Sequence, residues 1–370
     1  MKSLVWERND KKGRFHEVKN GLASYFKFCK EGRRHNNFDR KIGSTHTMLE
    51  EITDNLYMLT LPMPFRLMHV HAFIAVGNDG ITLFDTGLNT PETFVRLEES
   101  LKKIGKNIGD IKRILISHYH IDHCGMAGRI QNIAGAKIHM SEQSIPFILM
   151  RDQEEYRFVE RIQKFCRKHG LPDHVIGSIT ALFTTFKKAG SSFSIDEFYS
   201  GNPMDIGNGQ ELKIIATPGH THDHVSFYLP KENILLSGDH VLPEITPNLS
   251  PNLFSPEFRP LQSFMESLSL VELLPVQMVY PAHGKPFGNL KERIREIRDH
   301  HRMRKELIHA SVKKGPKTAT IVSRDIFGPD LSEFDQFLAL NETYVHLIEL
   351  IHEGLIYEEE QNERILYAAA

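Results

Sequence analysis

Four side chains able to bind a metal stand within six residues in Ser117-His118-Tyr119-His120-Ile121-Asp122-His123, directly after the apolar run 111–116. A short apolar run of this kind reads as a buried strand. In extended chain, residues i and i+2 point the same way, so the imidazoles of His118 and His120 can meet at one ion. Asp122 and His123, in the turn beyond, aim at a second position beside it. Any one of these histidines alone is more often a surface or hydrogen-bonded core residue, but the spacing of the four suits two cations better than one. Neutral imidazoles with carboxylates fit Zn²⁺, and also Mn²⁺ or iron.

The elements that must position this loop read as alternating strands and helices. Residues 52–61 alternate, 71–76 and 81–84 are apolar, and Asn78-Asp79-Gly80 is a hairpin turn between the last two. Residues 90–104 carry helical spacing, with Thr90 as N-cap and Pro91 at the first helical position. A short helix near 126–133 and a strand at 137–140 follow. Residues 141–190 break the alternation with a mostly helical insertion, read either as ordinary packing or as a lid over a substrate pocket. Strands resume at 211–216, 224–229, 233–236 and 277–280, each leading into a turn with polar residues: His220, Asp239 and His283, with Asp85 upstream. Groups at the ends of successive strands converge on one edge of a sheet, where open sheets build sites.

The chain has 370 residues, 45 Lys and Arg against 47 Asp and Glu, a net charge of −2, and 40% hydrophobic residues. That supports a sizeable core and gives no global case for nucleic acid or an anionic membrane as partner. Cys29, Cys124 and Cys166 are odd in number and far apart, which argues against a disulfide framework and for a reducing, cytoplasmic setting. No signal-peptide core and no apolar run of membrane-spanning length occurs. Residues 1–47 read as a basic arm, with 12 Lys or Arg against 5 Asp or Glu in the first 46. From about residue 289 the composition shifts to helices at 290–312, 318–327 and 331–352, then a hairpin of 355–358 with 365–367.

Taken together, Asp85, His118, His120, Asp122, His123, His220, Asp239 and His283, in this order and at strand ends, resemble the metallo-β-lactamase superfamily. Within it they are similar to the glyoxalase II-like branch, and the tail resembles the winged-helix extension of some members. The resemblance covers residues 48–288. It implies an α/β fold, an αβ/βα four-layer sandwich, with the helical insertion 141–190 and a small winged-helix-like domain at 289–370. It also implies two divalent ions, zinc first, with iron or manganese as alternatives. His118, His120 and His220 would hold one and Asp122, His123 and His283 the other. Asp239 would bridge both, and Asp85 and His224 would support the ligands. Asp122 and Asp239 then carry catalysis with a hydroxide shared by the ions. Asp239 stands where thiolate-using lactamases have Cys, which turns the reading away from β-lactams, and His120 turns it away from the flavodiiron branch.

The expected activity is hydrolysis of a small thioester, ester or lactone. A single-strand endoribonuclease is the alternative, since some winged members of the superfamily cleave RNA, and a non-catalytic metabolite sensor is disfavoured because no ligand is missing. Residues 331–353 contain five acidic residues and no Lys or Arg, a poor phosphate binder, so DNA and RNA are disfavoured and a structural or homodimerising tail is expected. His222 and His240 are weaker second candidates near the ligands. Arg151, Arg157, Arg161, Lys164 and Arg167 read as a solvated helix face rather than as contacts to a CoA phosphate. Cys124 reads as packing, and the role of Tyr119 is open.

Overall fold

The computed structural model describes residues 48–370 apart from 65–66, 149–154, 188 and 208, together with two short strands in the arm, Leu4–Val5 and His16–Glu17. Residues Met1–Thr47 with Glu244–Thr246 form one compact unit, in which those two strands pair antiparallel. Residues 48–243 and 247–370 form the other. Most of the arm, including Cys29, and the side chains of Arg151 and Arg157 lie outside the described residues.

The larger unit is built on two sheets. The first runs β1 (Leu49–Thr53), β2 (Leu56–Pro62), β3 (His69–Val76), β4 (Ile81–Phe84), β5 (Ile111–Leu115), β6 (Lys137–Met140) and β7 (Glu197–Phe198), antiparallel up to β4 and parallel beyond. The second orders β8 (Met204–Asp205), β9 (Glu211–Ala216), β10 (Val225–Leu229), β11 (Ile234–Gly238) and β12 (Met278–Pro281), with only the β11–β12 pair parallel. The single strand expected at 52–61 is two strands joined by Asp54-Asn55, a turn-forming pair. A register shift between Glu51 and Thr53 puts Ile52 in step with Leu56 and Met58, so the alternation reads straight through the turn.

Apolar residues fill three layers around these sheets. Leu56, Met58, Phe73, Phe84 and Leu115 meet Leu212, Val225, Phe227 and Leu236 between them. On the outer face of the first sheet lie helices α1 (Pro91–Lys103) and α3 (Ala127–Ala134), separated in sequence by the short α2 (Ile121–Cys124). Thr90 caps α1 as the sequence predicts, its hydroxyl accepting the Thr93 N–H at 3.1 Å, with Pro91 at the first position. On the outer face of the second sheet, α6 (Pro260–Glu272) brings Leu261, Phe264 and Leu268 onto Tyr228, Leu235 and Val279.

Phe264 closes this layer against a glycine. Gly219 has φ +150°, and a β-carbon there would sit 2.5 Å from that of Phe264. Phe264→Ala should lower unfolding free energy by about 3–5 kcal/mol in urea melts. A loss under about 1 kcal/mol would show that the layer is not close-packed.

The insertion forms α4 (Glu155–Lys168) and α5 (Asp173–Lys187). Ile162, Cys166, Val175, Ile176 and Ile179 pack with Ile308, Val312, Val322, Leu340 and Tyr367 of the C-terminal elements. Those elements are α7 (Leu290–Val312), α8 (Ala319–Phe327), α9 (Glu333–His352) and the hairpin β13 (Ile356–Gln361) with β14 (Arg364–Ala369). Insertion and tail therefore share one core. Three of the four acids of α9 are turned inward: Asp335, Glu342 and Glu349 are buried, and Glu349 pairs with Arg259. Among the described residues no helix is long and apolar enough to cross a membrane.

Candidate metal centre

All seven expected ligands come together at the strand ends. His118 and His120 follow β5, Asp122 and His123 lie in α2, His220 follows β9, Asp239 follows β11, and His283 follows β12. The first group is His118 Nε2, His120 Nδ1 and His220 Nε2, with His120 Nδ1 3.0 Å from each of the others. Asp239 Oδ2 is 3.3 Å from His220 Nε2. In the second group, His283 Nε2 is 3.5 Å from Asp122 Oδ2, and His123 Nε2 is 3.7 Å from the same oxygen. Asp239 Oδ1 faces this group, 3.6 Å from His123 Nε2 and 3.4 Å from His283 Nε2. One carboxylate thus divides its oxygens between two clusters.

A ring of acceptors fixes which nitrogen faces inward. Asp85 Oδ2 lies 2.8 Å from His123 Nδ1 and accepts the Ser117 hydroxyl at 2.7 Å, while Oδ1 accepts the Ser117 N–H at 2.7 Å. The Ser117 hydroxyl proton is committed to Asp85, so its oxygen accepts from His118 Nδ1 at 3.0 Å. His220 Nδ1 donates to the Asn248 carbonyl and His283 Nδ1 to the His69 carbonyl, both at 2.8 Å. Each of these four rings therefore presents an Nε2 lone pair to the centre.

His224 stands behind the centre. The Asp239 N–H donates to its Nε2 at 3.0 Å, so its Nδ1 carries the proton and donates to Thr217 Oγ1 at 2.8 Å. Thr217 passes its own proton to Ser226, which donates to the Ser237 carbonyl. Gly238, at φ +53°, leaves room for this ring: a β-carbon there would fall 2.7 Å from His224 Nε2.

The donor set fits cations. Deep in the site, His123 Nε2, Asp239 Oδ1 and His283 Nε2 are buried with no hydrogen-bond partner. A buried acceptor left this way is costly. In the first group His120 Nδ1 can offer at most one proton to two facing lone pairs, whereas one cation satisfies all three nitrogens. Burial, then the neighbouring imidazoles, holds His118 well below its ordinary pKa, and burial with His220 takes His120 down to about 3, so both rings stay neutral and able to bind a cation. Burial pushes His123 down too, but the carboxylates of Asp122, Asp239 and Asp85 outweigh it and hold the ring well above its usual value, so its Nε2 offers a lone pair once a cation takes the proton's place among these carboxylates.

Other sequence candidates sit elsewhere. His222 stacks on Phe258 at 4.2 Å, and His240 meets the edge of Phe264 at 5.1 Å. The Cys124 thiol donates to the Tyr119 carbonyl at 3.2 Å. Tyr119 stacks on Phe147 at 3.8 Å, with its ring 4.8 Å from that of His120. Arg161 donates to the Leu253 carbonyl and lies over Phe254, and Arg167 pairs with Asp173.

Sequence reasoning missed Ser117, Thr217, Asn248 and Asp223. Ser117, next to the first ligand, and Asp223, between His222 and His224, carried a local signal. Asp223 is buried beside the Ser144 hydroxyl, 2.9 Å away, and burial lifts its carboxyl to about 6 against the pull of Thr221 and Ser144. A further cluster, His300, His301 and Glu342, gathers between α7 and α9, where Arg304 supplies the charge opposite Glu342.

A family model described as "Metallo-beta-lactamase superfamily" matches residues 66–283. The "Probable metallo-hydrolase YqjP" of Bacillus subtilis (strain 168) is 26% identical over 303 residues, 80% of this chain and 92% of that protein. At lower coverage, the "Atrochrysone carboxyl ACP thioesterase" of Aspergillus fumigatus is 24% identical over 163 residues, 42% of this chain and 48% of that one. A crystal structure of a metallo-beta-lactamase family protein from Thermus thermophilus superimposes with a TM-score of 0.76 at 27% identity, covering 86% of this chain and all of that one. The chain belongs to the metallo-beta-lactamase superfamily, and it is a metallo-hydrolase.

Proposed function

We propose that this protein is a dinuclear hydrolase of the glyoxalase II-like kind, acting on a small thioester, ester or lactone with two zinc ions. The observation that carries the reading is Asp239, whose two oxygens face two separate clusters, one of them in contact with orphaned buried acceptors. His118, His120 and His220 would hold the first ion, Asp122, His123 and His283 the second, and Asp239 both. When bound, such ions supply a nucleophilic water at neutral pH and polarise a carbonyl oxygen.

The remaining work falls to the protein. Asp85, Ser117, Asn248 and His69 keep His123, His118, His220 and His283 in the ligating tautomer. His120 and Asp122 are the partly exposed members of the set, so substrate approaches across them. The Tyr119–Phe147 stack beside His120 offers an apolar wall to the acyl group. Thioesters are favoured among the substrate classes because one fungal relative carries that activity in its name.

The three tail helices and hairpin are read as a winged-helix-like element with a structural role. The helix that would enter a nucleic-acid groove, α9, is largely core, with Asp335, Glu342 and Glu349 buried in it, which speaks against the ribonuclease alternative. Acyl-CoA, acyl-glutathione and lactone substrates, tested with and without prior chelation, decide the matter. Turnover on at least one, lost with chelator and restored by zinc, is the expected result. Metal-dependent cleavage of RNA with none of these substrates turned over would overturn it.

A further inference from the structure

His220 owes its orientation to a carbonyl that no strand or helix holds. From residue 247 to Arg259 the chain has no regular element, so neither ladder nor helix fixes the Asn248 carbonyl that accepts from His220 Nδ1 at 2.8 Å. Helix α9 holds it instead. Asn248 Nδ2 donates to the Leu338 carbonyl at 3.1 Å, and the Asn341 amide donates to Ser250 Oγ at 3.2 Å. Ser250 in turn donates to Asn248 Oδ1 at 3.0 Å. Between them, the Leu249 N–H bonds to the buried Glu342 carboxyl. Three consecutive loop residues are thus tied to one face of α9, and Asn341 and Leu249 are almost wholly buried.

We infer that Asn248, Ser250 and Asn341 are positioning residues for His220, through which the C-terminal helix sets the geometry of the first metal position. The inference rests on the metal reading above. Its logic is that of any ligand whose second nitrogen is fixed from behind: loosening the acceptor lets the imidazole rotate or change tautomer, and affinity falls although no ligand is removed. Asn248→Ala is a clean probe because the accepting oxygen is main-chain and survives, while both side-chain braces are lost. Ser250→Ala breaks the chain one link further out, and Ser250→Thr preserves the hydroxyl.

The test is zinc retention by the full chain against a graded series of chelators, read as metal content. Asn248→Ala and Ser250→Ala should hold one of the two zinc ions about 10–100-fold less tightly than wild type, with Ser250→Thr close to wild type. Arg298→Ala, which breaks the remote Arg298–Glu272 pair, should leave retention unchanged while lowering the melting temperature. Wild-type retention in Asn248→Ala and Ser250→Ala would overturn the inference alone, as would equal losses in Ser250→Ala and Ser250→Thr. Wild-type protein that holds no zinc would overturn the metal reading, and this inference with it.

Discussion

Asp239→Ala is expected to lower kcat/KM by more than the ~100-fold that loss of a supporting residue costs, because it removes a ligand from both clusters at once. Bound zinc should fall below two ions per chain. Asp239 Oδ2 lies 3.3 Å from His220, and Oδ1 is within 3.6 Å of His123 and His283. No neighbour can replace it, since the other carboxylate of the set, Asp122, faces only the second cluster. Insertion and tail should stay folded, because their shared core contains none of the seven ligands. Undiminished turnover in this variant would contradict the mechanism.

Asp85→Asn should cost about 10–100-fold in metal affinity with the backbone intact. Asp85 sits at φ +55°, a region asparagine tolerates well, so the substitution changes hydrogen bonding rather than chain path. The aspartate accepts three donors: the Ser117 N–H, the Ser117 hydroxyl and His123 Nδ1. An amide offers one oxygen in place of two and turns its NH₂ towards a donor. Whichever way it lies, a buried donor loses its acceptor, at about 1–3 kcal/mol. Either His123 or Ser117, and through Ser117 the His118 ring, is then released. Chelator competition and a thermal melt check both effects, and an affinity equal to wild type would show that Asp85 does not orient these rings.

The ligand loops were legible because their signals are local. The apolar run 111–116 marks the strand after which His118 and His120 fall, and Thr90-Pro91 marks the start of α1 without tertiary information. Long-range packing leaves no such trace. Nothing in the 141–190 periodicity says that Ile162 and Ile176 meet Val312 and Leu340. The acids of α9 mark it in the sequence only as a poor phosphate binder, and nothing there shows that Glu349 meets Arg259 from 90 positions earlier. The acceptor for His220 was invisible for a plainer reason: it is a main-chain carbonyl, and any residue has one.

The proposed chemistry stands or falls with seven side chains enclosing two cations that share Asp239. Anomalous diffraction at the zinc edge from crystals of the zinc-loaded protein tests it most directly. Two peaks are expected, one among His118, His120, His220 and Asp239, the other among Asp122, His123, His283 and Asp239. A single peak, or peaks away from Asp239, would contradict it.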